Sequence, residues 1–172
     1  MATGGFFGQF RHALDEKGRV SVPARFRAVI EAEADGGHGG LYVTLGLDGC
    51  LFAYSSRRWA EVEAAVQDGG GHPFASRDKR RFQRQFFASA SFCEPDTQGR
   101  ILIPEPLRAA AGFTHEVVFV GVMDRIELWD AGRWTREEAE GRSGYEHAAE
   151  AALEGPDRGD GAEAHGGGRA GR

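Results

Sequence analysis

The sequence predicts an α+β, β-rich fold built from two tandem copies of one small unit, with helices flanking them. Three observations predict it. First, a thirteen-residue phrase, Asp15 to Arg27, recurs as Asp96 to Arg108, 81 residues later, with Asp, Gly, Arg, Pro and the final Arg in place. Second, Gly46, Leu51, Tyr54 and Trp59 recur as Gly121, Ile126, Trp129 and Trp134, now 75 residues later. Third, the segments between these marks alternate apolar and polar residues with the period of strands, or carry apolar stripes with the period of helices. A repeat of this kind fixes the reading of the whole chain. The change of offset places six extra residues in the first copy, within the Gly-rich stretch Glu31–Gly40, which reads as an exposed connector.

Phe6 to Leu14 reads as an aromatic-bearing strand. Asp15-Glu16-Lys17-Gly18 follows, with Asp first and Gly fourth, the preference of a type I turn. Arg19 to Val22 is β-branched and strand-like. Pro23 suits the first position of a helix whose Phe26, Val29 and Ile30 make one apolar stripe. Leu41 to Leu47 and Cys50 to Tyr54 form a hairpin around Asp48-Gly49. Ser55 or Ser56 then caps a helix carrying Trp59, Val62 and Val66. Ser76 to Phe87 reads as a helix with Phe82 and Phe86 toward the core and its basic residues outward.

The second copy repeats the order. A strand over Ala88 to Cys93 leads to the turn Asp96-Thr97-Gln98-Gly99 and a strand over Arg100 to Ile103. A short helix runs from near Pro104 to a Gly112 cap. Val117 to Val122 and Arg125 to Trp129 form the second hairpin, and a helix holds Trp134. The expected organisation is a first unit over 5–54, a helical connector over 55–87, a second unit over 88–131, a C-terminal helical region over 132–154 and a tail over 155–172. That tail lacks an apolar cluster and is expected to be disordered.

The net charge of −5 at first disfavours an anionic partner, but it is unevenly spread. Thr135 to Arg172 holds 5 basic against 9 acidic residues, which leaves 16 against 17 in the rest. Locally, Arg11, Lys17, Arg19, Arg25 and Arg27 outnumber Asp15 and Glu16, and Arg77, Lys79, Arg80, Arg81 and Arg84 surround Asp78. Local field governs docking on phosphates more than total charge does. Apolar runs fall short of a membrane span, and the N-terminus has no signal-peptide character, so the cytoplasm is the expected location and no membrane partner is expected.

The chemistry concentrates in Asp-x-x-Gly-Arg. An Asp side chain accepts from backbone N–H groups two or more residues on and so fixes the turn, while Gly tolerates the positive φ at its end. Arg19 and Arg100 then leave from the first residue of a strand. A guanidinium there can clamp a phosphate or read guanine O6 and N7, and a two-stranded ribbon is narrow enough for the major groove. The competing reading is an Asp–Arg ion pair that only stabilises the hairpin. Arg25, Arg27, Arg57, Arg58 and Arg108 are either phosphate contacts or solvated helix faces. The Arg77–Arg84 run reads as a solvated face or a subunit contact more readily than as a DNA contact.

Other functions find little support. There is no Walker loop, no Gly-x-Ser-x-Gly elbow and no His-Glu-x-x-His helix, so no enzyme, cofactor or small-molecule substrate is expected. His12, His38, His72, His115, His147 and His165 lack metal-ligand spacing. Cys50 and Cys93 occupy non-equivalent places and read as buried reduced thiols.

Leu14 to Pro23 and Asp96 to Pro104, together with Leu45 to Leu51 and Arg125 to Trp129, resemble the MraZ family of bacterial transcriptional regulators over about residues 5 to 145. The resemblance implies two AbrB-like swapped-hairpin units forming an internal pseudo-dimer. It also implies a ring-shaped homo-oligomer in the nucleoid, binding short repeats in the promoter of the division and cell-wall gene cluster. The family's DNA-binding residues fall on Asp15 and Arg19 and, by the repeat, on Asp96 and Arg100. Lys17 faces Gln98 in the second copy, which makes the first turn the stronger expected contact with double-stranded DNA. Two rivals share parts of this pattern: an antitoxin-like module that captures a protein, and a structural ring protein with incidental basic turns.

Overall fold

The computed structural model describes residues 4–34, 36, 39–68 and 74–153. The expected disordered tail, and His38, His72 and His165, lie outside them. The chain divides into two compact units, one ending at Arg136 and one beginning at Glu137.

The first unit is a mixed, sheet-rich fold with antiparallel pairing throughout. In chain order it contains β1 (Phe6–Ala13), β2 (Arg19–Ser21), α1 (Ala24–Ala32), β3 (Leu41–Leu45), β4 (Leu51–Ser55), α2 (Ser56–Asp68), α3 (Arg77–Ala88), β5 (Ser91–Cys93), β6 (Arg100–Leu102), α4 (Glu105–Ala111), β7 (Glu116–Met123), β8 (Ile126–Asp130) and the start of α5 (Ala131–Ser143). The second unit holds the rest of α5 and α6 (Tyr145–Leu153).

The two copies interleave. A six-stranded sheet runs β1-β7-β8-β4-β3-β5, and β2 and β6 form a separate ribbon. The first copy's β1 pairs with the second copy's β7 over all eight residues, from Phe6–Met123 to Ala13–Glu116. Reciprocally, the second copy's β5 pairs with β3, while β4 and β8 join the two hairpins at the centre. Each copy thus lends its leading strand to the other's hairpin, which is the swapped arrangement of an internal pseudo-dimer.

Strand alternation sets two sheet faces. One face, with Phe6, Leu41, Val43, Leu51, Ala53, Val117, Phe119, Ile126 and Leu128, packs with Val20, Val22, Ile101 and Ile103 around the ribbon and with Phe26, Ile30, Leu107 and Ala111 of α1 and α4. Packed on the other face, α2 and α3 bury Tyr54, Trp59 and Phe86, while Trp134 of α5 packs on Cys50, Val118 and Trp129. The ribbon therefore lies on one face of the sheet, and α2, α3 and Trp134 lie on the other.

Several local expectations shift. Pro23 is the cap of α1, extended at ψ 136°, not its first helical residue. Helix α3 continues to Ala88, so β5 begins only at Ser91. Phe86 is buried, but Phe82 is 49% exposed, because α3 packs on the sheet through its C-terminal half. Arg58 is not on a solvated helix face, whereas Arg57 is half-exposed and ion-paired. Arg58 is 7% exposed; its Nε and Nη2 donate to buried Glu33, and its Nη1 donates to Met123 O at 2.9 Å. Arg57 donates to the same carboxylate at 2.7 Å, and Ser55 hydrogen-bonds to it too. Burial alone would raise the Glu33 pKa, yet the bonds from Arg58, Ser55 and Arg57 hold it below its ordinary value. Cys50 and Cys93 are free and buried, with burial pushing their thiols up to about 12 and about 11.

Candidate nucleic-acid interface

Both Asp-x-x-Gly-Arg turns fold identically, because each is closed by its own aspartate. Gly18 N donates to Asp15 O at 2.9 Å, with Gly18 at φ +83°. Asp15 Oδ1 accepts from Lys17 N and Arg19 N, each at 2.9 Å, and Oδ2 accepts from Arg19 Nε at 2.7 Å. In the second turn, Gly99 N donates to Asp96 O at 2.9 Å with Gly99 at φ +76°. Asp96 Oδ1 accepts from Gln98 N at 2.9 Å and Arg100 N at 3.0 Å, and Oδ2 accepts from Arg100 Nε at 2.9 Å. The Arg19 and Arg100 backbone N–H groups are the chief reason each carboxyl sits below its ordinary pKa.

The intra-turn ion pair, one of the two readings of the sequence, is formed in both turns. Each arginine is ion-paired within its turn, but only through Nε. Among the described residues its two terminal nitrogens make no hydrogen bond, so the pair leaves them unpaired.

Pairing of β2 with β6 puts both arginines on one face. Arg19 stands opposite Leu102, Val20 opposite Ile101 and Ser21 opposite Arg100. Val20 and Ile101 are buried, so Arg19, Ser21, Arg100 and Leu102 share the outward side. The two arginines are offset by two residues, roughly 7 Å along the ribbon. Val22 N donates to Gly99 O at 2.9 Å and Ile103 N to Gly18 O at 3.0 Å, so each turn's glycine is tied to the other copy's strand.

Two more arginines cross over. Arg108 of α4 lies against Gly18, so close that a Cβ there would come within 2.5 Å of its Cζ, and its Nε donates to Ile103 O at 3.0 Å. Arg27 of α1 lies against Gly99 in the same way. Each turn is thus backed by the other copy's helix. Of the residues expected from sequence, Asp15, Lys17 and Arg19 stand together in the first turn, while Asp96, Arg100 and Arg27 stand at the second. Arg25 is exposed on α1. The sequence signal for Arg108 was its place as the repeat's last identity, matching Arg27; its placement on the opposite copy had no local signal. Beside the second turn a cavity of about 290 Å³ is lined by Arg27, Glu31, Glu94 and Asp96. Glu94 takes the place that Ala13 holds in the first copy.

Comparison with known proteins agrees with the duplicated architecture. The family model described as "MraZ protein, putative antitoxin-like" matches twice, over residues 6–85 and 86–154. The chain is 41% identical over 145 residues to the transcriptional regulator MraZ of Lactiplantibacillus plantarum, covering 84% of this chain and 96% of that protein. It is 44% identical to the protein of the same name from Desulforamulus reducens, over 84% and 95% of the two chains. The corresponding Heliobacterium modesticaldum protein is 40% identical over 87% and 97%. These relatives are named as regulators of transcription and not as enzymes. With two matches spanning nearly all the described residues, and identity of this order over most of each relative, the chain belongs to the MraZ family.

Proposed function

We propose that the chain is a sequence-specific DNA-binding transcriptional regulator that reads duplex DNA with the β2–β6 ribbon. The observation that carries this is the shared outward face of Arg19 and Arg100, each held through Nε by an aspartate, its terminal nitrogens without a hydrogen bond among the described residues. Such a ribbon fits the major groove, where a guanidinium pairs with guanine O6 and N7. In this reading Arg19 and Arg100 contact bases, Asp15 and Asp96 position them, and Lys17, Arg25, Arg27 and Arg108 neutralise phosphates. The names of the relatives support it.

The first turn is the stronger contact. It has Lys17 where the second has Gln98, and the second turn sits beside Glu31 and Glu94. Units over 5–54 and 88–131, joined by the connector 55–87, contribute one turn each. One ribbon offers few contacts, so useful affinity calls for several copies acting together through effective concentration. A ring-shaped homo-oligomer on short promoter repeats of the division and cell-wall gene cluster, in the nucleoid, meets that need.

The test is selection of bound duplexes from random DNA. Recovery of a short motif at regular spacing is the expected result. Failure to enrich any motif at low salt would overturn the DNA reading and favour capture of a protein.

A further inference from the structure

The outward face of the β2–β6 ribbon holds one residue that neither the turns nor the core uses. Val20, Val22, Ile101 and Ile103 are at most 2% exposed, whereas Leu102 is 55% exposed. Strand alternation explains the split: Ile101 and Ile103 point inward, so Leu102 between them points away. A leucine on a surface is ordinary by itself. What singles out Leu102 is its place between the two arginines.

Leu102 is the cross-strand partner of Arg19. Residues directly opposite in an antiparallel pair have Cβ atoms about 4.5–5.5 Å apart, closer than the roughly 7 Å from Leu102 to Arg100 along its own strand. The Val20–Ile101 pair is the centre of the ribbon, so a local two-fold axis there exchanges Arg19 with Arg100 and Leu102 with Ser21. The arginines obey that symmetry and the second pair breaks it. Ser21, opposite Arg100, offers a hydroxyl where Leu102 offers a branched apolar surface. In the major groove a guanidinium matches guanine, and an apolar side chain matches the 5-methyl group of thymine. Successive bases rise about 3.4 Å along the axis, so a side chain some 5 Å from Arg19 meets a neighbouring base pair.

We propose that Leu102 is a specificity-determining residue, packing on the 5-methyl group of a thymine beside the guanine that Arg19 reads. The recognised site is then unequal in its two halves: thymine is required next to the guanine of Arg19 and not next to that of Arg100. The assignment rests on the ribbon's reading of duplex DNA proposed above and adds a base to it.

The test uses the full chain and the duplex recovered by selection, with each thymine replaced in turn by deoxyuridine, which keeps every hydrogen-bonding group and lacks the methyl. One such replacement, next to the guanine whose identity Arg19→Ala no longer senses, should weaken wild-type binding about fourfold per site, the worth of one methyl group taken out of water. Leu102→Ala should bind the thymine and uracil duplexes equally. Leu102→Met should keep the preference, because a flexible apolar side chain still covers the methyl. Leu102 is exposed, so neither change disturbs the core. Selection with Leu102→Ala should recover the same guanines with that thymine relaxed. A wild type that binds its motif yet tolerates every uracil, or a thymine preference undiminished in Leu102→Ala, would overturn the proposal and leave the DNA reading in place. So would loss of assembly by Leu102→Ala with the preference intact, which would put Leu102 in a contact between chains. Failure to enrich any motif would remove both.

Discussion

Asp15 and Asp96 divide their two oxygens between a backbone task and a side-chain task, and that division makes the turns usable. One oxygen takes two backbone N–H groups and the other takes an arginine Nε. Arg19→Ala should cost about 1–3 kcal/mol of duplex binding, the range for a guanidinium on a base edge, and more than Arg100→Ala costs. Fluorescence titration of a selected duplex measures both, and full retention of affinity by both variants would remove the reading role. The aspartates also fix a pH dependence. Their pKa values are lowered on folding, so the stabilisation is complete above the ordinary carboxylate value of about 3.9 and disappears as pH falls through the lower folded value. The amide resonances of Arg19 and Arg100 should therefore hold steady from neutrality to about pH 4 and move only below it. A transition near pH 6 would point to another group.

At the scale of elements, the decisive feature is the buried carboxylate that ends α1. Glu33 gathers Arg57, Arg58 and Ser55 from the β4–α2 junction, and Arg58 reaches on to the β7–β8 turn of the other copy. The second copy echoes the reach, with Arg133 donating to Gly49 O of the β3–β4 turn at 3.3 Å. Glu33→Gln leaves Arg58 buried without its counter-charge and should cost roughly 3–5 kcal/mol in denaturant unfolding. A loss below 1 kcal/mol would show the arginine escaping to water. Little of this was legible beforehand. Arg57 and Arg58 look like any charged pair at a helix start, and the Glu33 and Met123 groups that bind them are 24 or more positions away. Phe82 misled for a related reason: its spacing from Phe86 fits one apolar stripe, but the sheet covers only the far end of the helix.

For the whole molecule, the interleaving of the two copies governs behaviour. Duplex affinity should fall with salt by about 0.9 log units per log unit for each phosphate neutralised. Arg108→Ala should reduce that slope by about 0.9 without changing the selected motif, as a phosphate contact requires. An altered motif would instead make Arg108 a base reader. Removing the chain after Leu153 should leave assembly and motif recognition unchanged. Light scattering beside the same titrations checks both.

The sequence by itself determined the duplication, the turn chemistry and the identity of the paired Asp and Arg residues. The last two rest on contacts within five residues, which local backbone geometry dictates. Only the tertiary structure decided that Arg108 backs the first turn and Arg27 the second, that Arg19 and Arg100 share one face, and that Arg58 is buried. Those facts follow from pairing β1 with β7, β3 with β5 and β2 with β6. Such pairing links segments some 50 to 117 positions apart, where register is chosen by the joint burial of both copies.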